Sequence, residues 1–141
     1  MTNLNDVWKE FRIICGYDSS EIPQNDEEIY GYCESAVKKY NQLAKKYVNR
    51  IQGDLKIDVN AEILNKNLSE TEVMILANLI AERFTYNKYV EFTSVWSVFA
   101  KETGIQNYQS QCKAREYTIQ SYKNEVERLI LDQIDSFEIG D

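Results

Sequence analysis

Carboxylates are the only abundant side chains in this sequence that could do chemistry. They stand in pairs at Glu27 and Glu28, Glu70 and Glu72, and Glu125 and Glu127. Paired carboxylates can serve as general acid and base when a pocket separates their pKa values. Each pair here also has a plainer explanation. Glu27, Glu28 and Glu70 fall at the starts of expected helices, where negative charge complements the helix dipole. Glu72 fits a helix cap, and Glu125 and Glu127 fit a solvated helix face. The chain has no histidine, which removes the commonest general base and a common metal ligand. Ser-His-Asp, Cys-His and Glu-x-x-His arrangements are therefore ruled out. The three cysteines, Cys15, Cys33 and Cys112, are far apart and form no CxxC pair. Asp54, Asp58 and Asn60 faintly follow calcium-loop spacing, but the loop glycine and terminal glutamate are missing. No glycine-rich phosphate cradle is present. The expectation is a protein without enzymatic activity, cofactor or metal.

A second cluster is basic: Lys38, Lys39, Lys45, Lys46 and Arg50, interleaved with Tyr40 and Tyr47. Such a patch could meet nucleic acid or an acidic protein surface. The tyrosines, however, fall on the apolar stripe of the same helix, so the patch reads first as a solvated face. The net charge of −7 disfavours non-specific nucleic-acid binding and adhesion to anionic membranes. Ten tyrosines favour protein contacts, because tyrosine is enriched at interfaces.

These residues must be positioned by helices. One proline and five glycines in 141 residues leave too few breakers for a many-stranded sandwich. The length fits one domain over 1–141. Val7, Trp8, Phe11, Ile14 and Cys15 predict a short amphipathic helix ended by Gly16. A loop follows over 17–26. Ile29, Cys33, Ala36, Tyr40, Leu43, Tyr47 and Ile51 then predict a long helix from Asp26 to Gln52, with Gly53 as terminator. Leu55, Ile57 and Val59 alternate with Lys56 and Asp58, the period of a half-buried strand that lacks an obvious partner in the chain. That segment is a candidate for pairing with another subunit.

LSETEV is the sharpest local signal. Ser69 and Glu72 form a capping box, and Leu68 and Val73 a hydrophobic staple. The helix that follows, through MILANLIAERF, is expected to be the most buried. A break at Thr85–Asn87 should separate it from a helix carrying Val90, Val95, Trp96, Phe99 and Ala100 and ending near Gly104. The last long helix should run from Tyr108 to Asp135 on a stripe of Tyr108, Cys112, Arg115, Ile119, Tyr122, Val126, Leu129 and Ile130, with a frayed SFEIGD tail. The fold class is all-α: a bundle of two long helices with shorter packed ones and a short strand-like extension. The N-terminus has no signal-peptide pattern, and no apolar run is long enough to span a bilayer. A cytoplasmic product with reduced thiols is the expectation.

Two segments carry a resemblance. LNKNLSETEVMILANLIAERF resembles the central helix of head-to-tail connector proteins (neck adaptors) of tailed phages of Gram-positive hosts. YQSQCKAREYTIQSYKNEVERLI resembles their C-terminal helix, with Ser110-Gln111 near its start and Glu125 to Ile130 at its end. The chain departs from the pattern after Phe84, where Thr85 to Tyr89 replace a basic or proline-containing turn. The resemblance implies a structural virion protein, made in the host cytoplasm and located in the neck. It implies a homo-oligomeric ring beneath the portal protein that extends the DNA channel and receives the next neck or tail-completion protein. DNA would pass without specific binding, which suits the acidic charge. Leu55, Lys56, Ile57, Asp58 and Val59 could then add a strand to a neighbouring subunit. The alternative is a small phage or bacterial regulator that binds DNA or a transcription factor through the basic face of the first long helix.

Overall fold

A computed structural model of the chain describes the backbone of residues 1–103 and 105–139 and the side chains of 1–96 and 107–133. The elements in order are α1 (Leu4–Ile14), α2 (Asp26–Lys46), β1 (Ile57–Asp58), β2 (Ile63–Leu64), α3 (Glu70–Thr103) and α4 (Ile105–Ile139). The architecture is all-α, with one two-stranded antiparallel ribbon.

Helix α3 is the hub and packs against α1, α2 and α4. Every side chain from Ile75 to Ala81 is buried, which makes this its central stretch. Around Phe84 the elements converge. Its ring meets Phe11 of α1 at 5.6 Å, Tyr17 of the first loop at 5.3 Å and Tyr32 of α2 at 5.9 Å, all edge-on. Such contacts suit the ring quadrupole and add to area burial. The predicted stripe of α4 also faces inward, with Val126, Leu129 and Ile130 fully buried and Tyr108 to Tyr122 half-buried. Arg115 sits within that stripe because its guanidinium lies 4.2 Å over the Phe92 ring and donates to the Tyr17 hydroxyl at 3.1 Å.

Four expectations need correction. There is no break at Thr85–Asn87, and α3 runs unbroken for 34 residues. The stretch holds no glycine or proline, Thr85 is buried, and Asn87 Nδ2 donates to the Tyr32 hydroxyl at 2.8 Å. Tertiary packing thus outweighs the weak helix propensities of threonine, tyrosine and asparagine. Helix α2 ends at Lys46 and not at Gln52, since the cap Tyr47 leaves the helical region at φ −106° and ψ 71°, and Asn49 then turns left-handed at φ 65°. Gly53 is therefore not the terminator; a Cβ there would come within 3.3 Å of the Ala44 side chain, so it permits close approach instead. The cap of α1 is extended Cys15, one residue before Gly16. Helix α4 begins at Ile105, three residues earlier than expected, and its last turns run through the segment expected to fray, as far as Ile139. Gly104, Gly140, Asp141 and the side chains of Phe99 and Ala100 lie outside the described residues.

The fifth correction concerns the strand. Residues 55–59 find their partner inside the chain: Ile57 pairs with Leu64 and Asp58 with Ile63. The N-terminus extends the ribbon on the far side of β2. Leu64 N–H donates to Thr2 O at 2.7 Å, and Leu4 N–H to Glu62 O at 2.9 Å. Asn41 of α2 closes the other end, accepting from Leu55 N–H at 2.9 Å and donating to its carbonyl at 3.1 Å. The alternation survives, with Leu55 buried, Ile57 half-buried and Val59 exposed. The backbone of Leu55 and Lys56 is thus hydrogen-bonded within the chain, and Asp58 pairs with Ile63.

Candidate functional site

The capping residues do more than close a helix. Ser69 N–H donates to Glu72 Oε1 at 3.0 Å, and Glu72 N–H donates to Ser69 Oγ at 3.2 Å. Glu72 is also buried and accepts from Gln52 N–H at 2.7 Å and from the Tyr40 hydroxyl at 3.1 Å. Burial pushes its carboxyl up, but the hydrogen bonds from Gln52 and Ser69 outweigh that and hold it below the usual range. Burial, together with the neighbouring Glu72 carboxylate, drives the Tyr40 phenol far above its ordinary value. Glu72 therefore locks α2, the 47–52 turn and the start of α3 together, and all its acceptor capacity is spent on the fold. The sequence signal revealed the cap but not the hub, because Tyr40 and Gln52 are separated from Glu72 in sequence.

The other chemistry-bearing groups are likewise dispersed or structural. Glu27 and Glu28 donate their backbone N–H groups to Asn25 Oδ1, the α2 cap, at 2.8 and 3.4 Å. Glu125 pairs with Arg128 one turn on. Asp58 Oδ1 accepts from Ala61 N–H at 3.2 Å and shapes the β1–β2 turn. Burial raises the Cys15 thiol and pushes the Cys33 thiol up to about 11, so neither is a ready thiolate. Among the described residues no three metal-ligating side chains converge. No described helix is long and apolar enough to cross a membrane.

The basic cluster divides. At about 100° per residue, Lys38 and Lys45 share one line along α2 and Lys39 and Lys46 another. Tyr40 points between neither and is wholly buried. Lys46 lies 5.3 Å over the Tyr47 ring. Arg50 sits beyond the helix end and is half-buried. Lys39 leans toward a cleft of about 300 Å³ between α2, α3 and α4, where it joins Arg83 and Lys123 around Glu82. Lys123 Nζ stands 3.8 Å from Glu82 Oε1. Burial raises the Glu82 carboxyl, and Lys123 and Lys39 pull the other way.

Beyond Thr85 only Phe92 of the described α3 side chains is buried, and none of the described α4 side chains before Val126 is. This outer half of the α3–α4 pair, the arm, has a small cluster of its own besides its ties to Tyr32 and Tyr17. Phe92 stacks on Trp96 at 5.7 Å and on Tyr108 at 5.9 Å, and the Tyr89 hydroxyl donates to Glu116 at 2.7 Å. Tyr86, Val90, Val95 and Tyr117 are exposed along it, Tyr117 at 77 %. At the other end Ile13 of α1 is 71 % exposed. Ile13 falls off the apolar stripe of its helix, and that was the one signal in the sequence for an apolar surface there.

The fold is all-α, and the capping and buried carboxylate groups described serve its own packing. The chain belongs to the YomZ prophage protein family, whose profile matches residues 1–135. It is 32 % identical over 132 residues to the SPbeta prophage-derived uncharacterized protein YomZ of Bacillus subtilis (strain 168), spanning 94 % of this chain and 95 % of that relative. No solved structure matches the chain. The phage origin implied by the resemblance to neck proteins is present in both matches; a connector role is named in neither.

Proposed function

We propose that this phage-derived chain is a structural virion protein, a head-to-tail connector that joins a ring between portal and tail and extends the DNA channel. The observation that carries the reading is the arm. The outer halves of α3 and α4 bury few of their described side chains and present exposed Tyr86, Val90, Val95 and Tyr117. Exposed aromatic side chains are enriched where proteins meet. The resemblance of 64–84 and 108–130 to neck adaptors supports the same reading, and a net charge of −7 suits a channel that DNA must traverse without sticking. Partners are the portal protein and the next neck or tail-completion protein, with no membrane, cofactor or catalytic step. Electron microscopy of the protein with the portal encoded nearby tests it. Closed rings seated on the portal are expected; a protein that never joins the portal would sink the reading.

A second reading has one observation in its favour. Lys38 and Lys45 form an exposed column on the side of α2 away from the core. A regulator that binds DNA through this face predicts affinity that falls with salt and with neutralisation of Lys45, Lys46 and Arg50.

A further inference from the structure

Two clefts on opposite sides of α3 have reciprocal chemistry. The first, already described, gathers Lys39, Arg83 and Lys123 around the single carboxylate of Glu82, with Leu79 and Ile119 as its apolar floor. The second, about 460 Å³ between α1 and the start of α3, gathers Asp6, Glu10 and Glu70 around the single ammonium of Lys9. Its apolar part is Ile13 with Leu68, Val73 and Met74. Three cations against one carboxylate face three carboxylates against one cation. Among the described residues, no ion pair engages Lys39, Arg83, Asp6, Glu10 or Glu70. The basic set is a local reversal in a chain of net charge −7.

Their placement matters as much as their charge. At about 100° per residue, Val73 and Met74 stand roughly 180° around α3 from Glu82, Arg83 and Tyr86. One molecule therefore offers an acidic, apolar-centred face on one side and a basic, apolar-floored cleft on the other. We propose that the α1–α3 face of one copy docks into the α2–α3–α4 cleft of the next, with Ile13 as the apolar anchor and Asp6 and Glu10 opposite Lys39 and Arg83. The contact is head-to-tail: two different surfaces meet, so association continues to a ring where the rotation closes and to a filament where it does not. Charge complementarity of this kind fixes register and excludes wrong partners. The inference rests on the ring-forming adaptor reading and supplies its subunit contact.

The test is sedimentation of the full chain across concentration at low and high salt, with charge-reversed variants. The wild-type chain self-associates, and more weakly as salt rises. Lys39→Glu with Arg83→Glu, and separately Asp6→Lys with Glu10→Lys, each weaken association by about tenfold or more while the helical circular dichroism is kept. Ile13→Ser, which leaves the charges alone, weakens it too. Mixing the two reversed variants restores association that neither shows alone, because the native acidic face meets the native basic cleft and the reversed basic face meets the reversed acidic cleft; the assemblies that form hold the two variants in equal amounts. A chain that stays monomeric at millimolar concentration overturns the inference. So does association that neither reversal changes. The same variants on the portal separate this inference from the adaptor reading. Rings that form on the portal regardless of both reversals overturn the contact and leave the adaptor. Self-association through these faces with no portal binding upholds the contact and removes the adaptor.

Discussion

The inner and outer halves of the α3–α4 pair are built from the same two helices and are held in different ways. In the inner half, α3 from Ile75 to Phe84 is enclosed by α1, α2 and the Val126–Ile130 stretch of α4. In the outer half, α3 and α4 pack mainly on each other, tied to the rest by Asn87 to Tyr32 and Arg115 to Tyr17, and beyond Thr85 Phe92 is the one buried side chain described on α3. The inner half can supply stability because several elements share each buried residue. The outer half can supply contacts because its apolar side chains are left outside. Local opening tracks buried contact density, so the two halves should differ in dynamics as well.

The comparison can be broken most forcefully at the inner half. Phe11 is fully buried between Trp8 and Phe84, and Phe11→Ala should cost about 3–5 kcal/mol in denaturant unfolding. A loss below about 1 kcal/mol would mean the inner half is not the stable one.

Next comes Glu72. Glu72→Ala strands the Gln52 amide and the Tyr40 hydroxyl and removes half of the capping box, a loss of about 3 kcal/mol. Its folded pKa is lowered, so its stabilisation is full above the ordinary value of 4.5 and is lost as pH falls through the folded value. Glu82 has the opposite sign. Its folded pKa is raised by burial against the pull of Lys123 and Lys39, so stability falls as pH rises from the ordinary 4.5 through the folded value. Unfolding free energies between pH 3 and 7, in ~0.5-unit steps, check both signs. Glu72→Gln should flatten the acid limb and Glu82→Gln the other.

A smaller effect sharpens the contrast. Phe92→Ala removes the centre of the arm's own cluster and should cost about 2 kcal/mol or less, since little packs around it. The loss should be local. Amide exchange should speed up at 88–96 and 107–118 while 75–81 and 126–130 keep their protection. Equal loss of protection in both halves would show that they unfold as one unit. Smallest of all, Val95→Ala and Tyr117→Ala should change stability by less than ~0.5 kcal/mol. Their effect should appear in assembly on the portal, read by microscopy; unchanged assembly would take the arm out of the interface.

Much of this division was legible as pattern. The α4 stripe, including the odd Arg115, faces inward as its period demands, and Ser69 and Glu72 sit where the capping spacing puts them. Local rules reached that far because a helix repeats its neighbours every three or four residues. They failed at Thr85–Asn87, where propensity alone suggests a break and packing against Tyr32 and Phe84 sustains the helix. They failed again at Leu55–Val59, whose partner strand, Ile63–Leu64, is near in sequence but is set by a turn at Asp58–Ala61 and by the N-terminus.

The sequence by itself determined that this protein is helical, acidic and poor in catalytic groups, because composition and periodicity act residue by residue. Only the tertiary structure decided that Glu72 is a hub, that the strand closes within the chain, and that a basic cleft and an acidic apolar face lie on opposite sides of α3. Those features join residues up to 84 positions apart, Lys39 with Lys123 for the cleft. No local period encodes such a meeting; it exists once three helices have been packed around one core.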